Sequence, residues 1–148
     1  MISRRFIMVH HSLTKDGETV SWGAIERYHR ETRGWTDIGY HFGVENIAGD
    51  QYAVVGRPEH RPAAACPQGE MNRLAIHVCC VGNFDLAPPS QAMLQLVVKR
   101  VLIPVMDRYG ITPERIVGHH QYNPAKSCPG TKFDLAKLRL LISGGSSL

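Results

Sequence analysis

The sequence predicts a single α/β domain, a central mixed β-sheet flanked by helices. Three observations carry this. Leu74–Val81 is a near-continuous apolar run, the pattern of a central strand buried on both faces. Within Pro88–Tyr109, Met93, Leu94, Val97, Val101, Leu102 and Val105 form an apolar stripe at helical spacing. Around these two segments the pattern reads strand, helix, hairpin strands, central strand, long helix, strand, helix, the order of a layered α/β domain. With 148 residues and no internal repeat, one domain over 1–148 is expected, its core at about 5–143 and residues 144–148 a frayed tail.

Arg5–His10 reads as the first strand, β-branched and aromatic residues giving way to polar ones. Lys15-Asp16-Gly17 has turn chemistry. Ser21–Arg33 reads as a helix, with Ser21 as N-cap and Gly34 as its stop. His29 on this helix is expected to be a surface histidine. Tyr40–Glu45 and Gln51–Val55 read as a hairpin joined by the turn Asn46–Asp50. Arg57–Gly69 is a loop carrying three prolines, and Gly82-Asn83-Phe84-Asp85 closes the central strand. His77, inside that strand, reads as a core histidine with its hydrogen bonds satisfied. Ser90 caps the long helix, Pro104 should kink or end its regular part, and Gly110 stops it. Thr112-Pro113-Glu114 is a short turn or helix start. Ile116-Val117 is a short last strand that delivers His119 to the sheet edge, and Phe133–Ile142 is the final helix with Leu135, Leu138 and Leu141 on one side.

Composition narrows the function classes. Hydrophobic residues make up 43% and charged residues 20%, ordinary for a folded domain and unlike a disordered one. The net charge of +4 suits an anionic partner such as a cell-wall polymer or nucleic acid, and equally suits no partner at all. No dense basic block or RNA-binding signature points to nucleic acid, and no apolar run approaches the roughly 20 residues needed to span a bilayer. Phe6–Val9 is shorter than the apolar stretch of a signal peptide, so no Sec-type export is inferred and production in the cytoplasm is expected. Cys66, Cys79, Cys80 and Cys128 are expected to be free thiols or metal ligands, Cys79 and Cys80 being buried and unpaired.

The chemistry concentrates in Val117–Phe133, VGHHQYNPAKSCPGTKF, and in a second histidine pair, His10-His11. Successive side chains of a strand point to opposite faces, so one histidine of each pair is the candidate for a shared metal. A catalytic zinc takes three protein ligands and keeps the fourth position for water. One histidine from each pair plus Cys128 meets that count. Pro124, Pro129 and Gly130 would fix the loop carrying the thiolate. Lys126 reads either as a solvated loop lysine or as a group stabilising an oxyanion and the Cys128 thiolate. Tyr40 reads either as a strand tyrosine packing on the core or as a group that orients the metal-bound water or donates to the oxyanion.

The segments FIMVHHS, DIGYHFGV, VGNFD and GHHQYNPAKSCPG resemble, in order, those of the zinc-dependent N-acetylmuramoyl-L-alanine amidases. That family includes small bacteriophage lysozyme-type amidases and animal peptidoglycan recognition proteins. The resemblance runs from about Phe6 to Phe133. It implies a zinc at the floor of a surface groove, with His10, His119 and Cys128 as ligands and Tyr40 and Lys126 as catalytic groups. His11, His41 and His120 are then supporting or structural residues. Two departures stand out: the His119–Cys128 gap is one residue longer than in many members, and Ala63-Ala64-Ala65-Cys66 replaces a Gly-Ala-His segment. The implied activity is hydrolysis of the amide between N-acetylmuramic acid and L-alanine in peptidoglycan or muropeptides, by a monomeric phage or prophage endolysin that reaches the wall on release. A non-catalytic peptidoglycan-binding module and a cytoplasmic muropeptide-recycling amidase are the alternatives. No residue argues for a regulator of another protein, and a Cys79-Cys80 redox protein ranks last because adjacent cysteines strain a disulfide.

Overall fold

The computed structural model describes residues 3–13 and 21–144. The Lys15-Asp16-Gly17 turn and residues 145–148 lie outside them. Among the described residues, five strands form one mixed sheet: β1 (Phe6–His11), β2 (Phe42–Ile47), β3 (Asp50–Val55), β4 (Ala75–Cys80) and β5 (Ile116–Gly118), in the order β3-β2-β4-β1-β5. β4 occupies the centre, parallel to β1 and β2, and all six of its residues are buried. β5 pairs in parallel with β1 at one edge, and β3 pairs antiparallel with β2 at the other.

The expected order of elements holds, with shifted boundaries. β1 runs one residue past His10 and so includes His11. β2 begins at Phe42, so Tyr40 lies in the segment before the strand, where His41 N donates to the His77 carbonyl (3.0 Å). The β2–β3 hairpin turns on Ala48 and Gly49, both at positive φ, as a two-residue turn matching sheet twist requires. The last helix, α5 (Leu135–Gly144), starts after Asp134, whose carboxylate accepts from Lys137 N. It extends through Gly144, past the expected limit of the core.

Ser21 caps α1 (Trp22–Arg27) by accepting from Ala24 N, and the helix continues through a wider π turn, Tyr28–Thr32, before Gly34 at positive φ. Buried Glu45 of β2 also accepts from Trp22 N (2.6 Å), placing a carboxylate at the helix start. A short α2 (Met71–Leu74) leads directly into β4. Ser90 caps the long helix by accepting from Met93 N. The interruption expected at Pro104 takes the form of a π turn, Val98–Leu102, between α3 (Gln91–Val97) and α4 (Ile103–Tyr109). Proline has no N–H to bond the preceding turn, and the wider turn carries the helix past it. Gly110 ends α4 at positive φ.

The two faces of the sheet differ in what covers them. One carries Ile7, Val9, Ile76, Val78, Cys80 and Ile116 against Val98, Val101, Leu102 and Val105 of the long helix and Leu138 of α5. The other carries Met8, Ala75, Cys79 and Val117, covered by Met71, Cys66, Ile38 and the α1 residues Trp22 and Ile25. Gly43 has no side chain because Trp22 lies there; an added Cβ would meet its ring at 2.3 Å. His10 and His77 share this second face by alternation along β1 and β4. Buried Arg4 ties the covering loop to the sheet, donating to the carbonyls of Glu59, Arg61, Arg73 and Ala75. Among the described residues no helix is long and apolar enough to cross a membrane.

Leu102 is fully buried at the centre of the helix-side core. Leu102→Ala is expected to lower unfolding stability by about 2–5 kcal/mol, measured by urea denaturation; an unchanged midpoint would contradict this packing.

Candidate metal centre

Two segments far apart in sequence meet on the second face of the sheet. His10 stands near the end of β1, two residues after Met8 and on the same side. β5 brings Val117 beside Met8, and His119 follows two residues later in a short 3₁₀ turn, His119–Gln121. Gln121 pins that turn by accepting from Gly118 N (2.7 Å). The loop from His119 to Cys128 closes on itself: His120 N donates to the Cys128 carbonyl (2.8 Å) and Lys126 N to the Asn123 carbonyl (3.0 Å). Cys128 therefore returns to His119.

A residue that the sequence reading placed only at the end of the central strand anchors this loop. Asp85 accepts from Ser127 Oγ and from Thr131 N, both at 2.8 Å, so it grips the chain on either side of Cys128. The Thr131 and Ser127 bonds hold its carboxyl below the usual carboxylate range. Gly130 lets the loop pass close to Phe84, where a Cβ would stand 2.5 Å from backbone carbon.

His10, His119 and Cys128 are all buried, and their ligand atoms lie within 4.8 Å of one another. His10 Nδ1 and Cys128 Sγ are 3.5 Å apart. Nitrogen and thiolate ligands at tetrahedral zinc distances would be about 3.6 Å apart. The donor set also fits chemically. Burial holds His10 well below the ordinary histidine value, with His77 and His119 adding to this. Burial, then Lys126, lowers His119. Both imidazoles are therefore neutral at pH 7 and offer lone pairs. Burial pushes the Cys128 thiol up to about 12, while the His11 amide (3.3 Å from Sγ) and Lys126 favour its thiolate. A cation bound among these atoms would take up the negative charge that burial disfavours.

The remaining histidines divide by role. His11 points to the opposite face and accepts at Nδ1 from Phe84 N. His41 accepts from His77 N and faces the Arg61 carbonyl through Nε2. His77 is fully buried and has hydrogen-bond partners, as expected, and one of them is His10 Nε2 at 2.8 Å. His120 is exposed. His29 departs from expectation: it is half-buried rather than on the surface, its Nδ1 accepting from Gly39 N and its ring 4.6 Å from Trp35.

Tyr40 and exposed Lys126 border the donors on two sides. One cleft holds His10, His119 and Cys128. A second, of about 360 Å³, is lined by His29, Arg33, Trp35, Gln68 and Asn123. Tyr40, Ala65, His119 and Lys126 line both, so the two form one groove across the metal donors. The Tyr40 ring lies 5.1 Å from that of His10. Burial raises its pKa well above the ordinary phenol value, keeping the proton on the oxygen. His29 and Trp35 escaped the sequence reading because their spacing marks only a helix and an aromatic-rich turn.

Residues 3–131 match the family model of N-acetylmuramoyl-L-alanine amidases. The endolysin of Escherichia phage T7 is 32% identical over 136 residues, which cover 88% of this chain and 82% of that protein. The human N-acetylmuramoyl-L-alanine amidase is 34% identical over 116 residues, 77% of this chain and 19% of the longer human protein. In fold, N-acetylmuramoyl-L-alanine amidase LysC from Clostridium intestinale superimposes with a TM-score of 0.80 at 24% identity, covering 96% of this chain and 87% of that one. A family match that includes β1, the central strand and the Cys128 loop leaves the assignment plain: the chain belongs to the N-acetylmuramoyl-L-alanine amidase family.

Proposed function

We propose that this chain is a zinc-dependent N-acetylmuramoyl-L-alanine amidase that hydrolyses the amide between N-acetylmuramic acid and L-alanine in peptidoglycan. In this reading it is a phage or prophage endolysin, acting on the wall once released from the cell that makes it. One observation carries the proposal: His10, His119 and Cys128 converge, buried and with neutral imidazoles, beneath a groove bordered by Tyr40 and Lys126.

Zinc held by these three residues supplies a Lewis acid for the scissile carbonyl and lowers the pKa of its water. The chain supplies the rest. Tyr40 keeps its proton and donates it in a hydrogen bond to the carbonyl oxygen as negative charge develops there. Lys126 places a cation at the groove rim to stabilise the same oxygen. Two neutral imidazoles and one thiolate leave the centre less electrophilic than three imidazoles would, so these auxiliary donors matter more. The half of the groove lined by His29, Arg33, Trp35 and Asn123 holds the substrate flanking the cleaved bond.

Purified peptidoglycan treated with the protein should release fragments with new L-alanine amino termini. Cys128→Ala should lose both this activity and bound zinc; full activity with full zinc content would refute the assignment. Lys126→Ala should keep its zinc and lose on the order of 100-fold in rate. Wall binding without product release would favour the non-catalytic module.

Metal affinity should also depend on pH. With both imidazoles neutral and the Cys128 thiol at about 12, binding displaces one proton, from Cys128. Proton release means that affinity rises with pH, about tenfold per unit between roughly pH 7 and 9. Chelator competition measures this, and a flat profile would exclude the protonated thiol.

A further inference from the structure

We propose that His77 is a positioning residue for His10: it accepts the His10 Nε2 proton and thereby leaves Nδ1, the atom facing Cys128, bare for the metal. The proposal rests on the reading of His10 as a ligand.

The assignment follows from which atoms face each other. His77 Nε2 lies 2.7 Å from the Met71 carbonyl. A carbonyl only accepts, so this nitrogen carries a hydrogen. The Met71 oxygen also receives Ala75 N, using its second lone pair. A neutral imidazole has one N–H, so His77 Nδ1 is an acceptor. It sits 2.8 Å from His10 Nε2, and the hydrogen between them therefore belongs to His10. A neutral His10 with its proton on Nε2 has a lone pair on Nδ1, 3.5 Å from Cys128 Sγ.

The alternative is a doubly protonated His77 donating to His10. That would place a cation on a side chain with no exposure, whose hydrogen-bond partners are an imidazole and a carbonyl, with no carboxylate among them. The Arg4 guanidinium, 3.4 Å from His41 Nε2 on the far side of that ring, makes a second cation there still less favourable. His77 is also held in place through its backbone. Its N–H donates to His41 Nδ1 (3.0 Å), its carbonyl accepts from His41 N, and β4 pairs on both sides.

The outer partner of a metal-bound histidine fixes its tautomer and ring orientation and tunes its basicity. Here the partner is an uncharged imidazole rather than a carboxylate. It orients His10 without adding negative charge, so the Cys128 thiolate remains the one anionic donor among the three. This limits the loss of electrophilicity that the thiolate brings.

Two measurements test the proposal. In chelator-stripped wild-type protein, long-range ¹⁵N–¹H spectra of labelled histidines should show His10 protonated at Nε2 and bare at Nδ1. The opposite tautomer overturns the proposal whether or not any variant folds. Zinc affinity by competition with a chromophoric chelator should fall about 10–100-fold in His77→Leu. In His77→Asn, whose amide oxygen takes the place of Nδ1, it should recover to within several-fold of wild type. Circular dichroism and thermal melting show whether each variant is folded. A folded His77→Leu protein with wild-type affinity also overturns the proposal. Wild-type protein that binds no zinc refutes the metal reading instead, and the tautomer result then stands as a separate finding about the pair.

Discussion

Parallel pairing of β1 with β4 sets Met8 opposite His77 and His10 opposite Cys79, and β5 on the other side of β1 sets Val117 opposite Met8. Because the side-chain period is two, this register sends His10 and His77 to one face and aligns the chain so that His119 emerges beside them. A slip of one residue would turn His10 into the helix-side core and bring His11 to the groove. The geometry of the donor set thus depends on strand register, and the register is held by the apolar core on the opposite face. There Ile7, Val9, Ile76 and Val78 pack on the long helix.

Burying so many polar groups on one face is costly unless each has a partner. His41 and His77 face backbone carbonyls, His11 receives a backbone amide, and Arg4 spreads its charge over several carbonyl oxygens. His10 is held through Nε2 and turns Nδ1 toward Cys128. Together with His119 and the Cys128 thiol, that nitrogen forms a donor set suited to a cation. The supporting bonds do more than satisfy hydrogen-bonding groups: they reduce the orientations in which the donors can meet.

The Cys128 loop lies beyond the last strand and is tied back locally. Asp85 binds both Ser127 and Thr131, while the Cys128 carbonyl receives His120 N. These bonds close the loop between His119 and Cys128 on itself, with Lys126 exposed at the rim. The VGNFD segment, whose resemblance to the family was evident from the sequence, thus owes part of its importance to a carboxylate that never reaches the groove floor.

Periodicity and caps were legible in the chain itself. The apolar run of β4, the stripe of the long helix, Ser21 and Ser90 as caps and the glycines at helix ends all act through neighbours a few residues away. Alternation limited each histidine pair to one candidate, and family resemblance selected His10 and His119. The early start assigned to β2 and the surface position assigned to His29 were corrected by tertiary contacts: His41 bonds to β4 before the β2 ladder begins, and Trp35 folds over His29. The His10–His77 contact joins residues 67 apart, and Asp85 reaches Ser127 across 42. Local sequence therefore determined which segments are strands and helices and which residue types carry metal chemistry. Which nitrogen of His10 is left to a ligand was decided only by the tertiary structure, because hydrogen-bond direction depends on atoms that the folded strands and loops bring together.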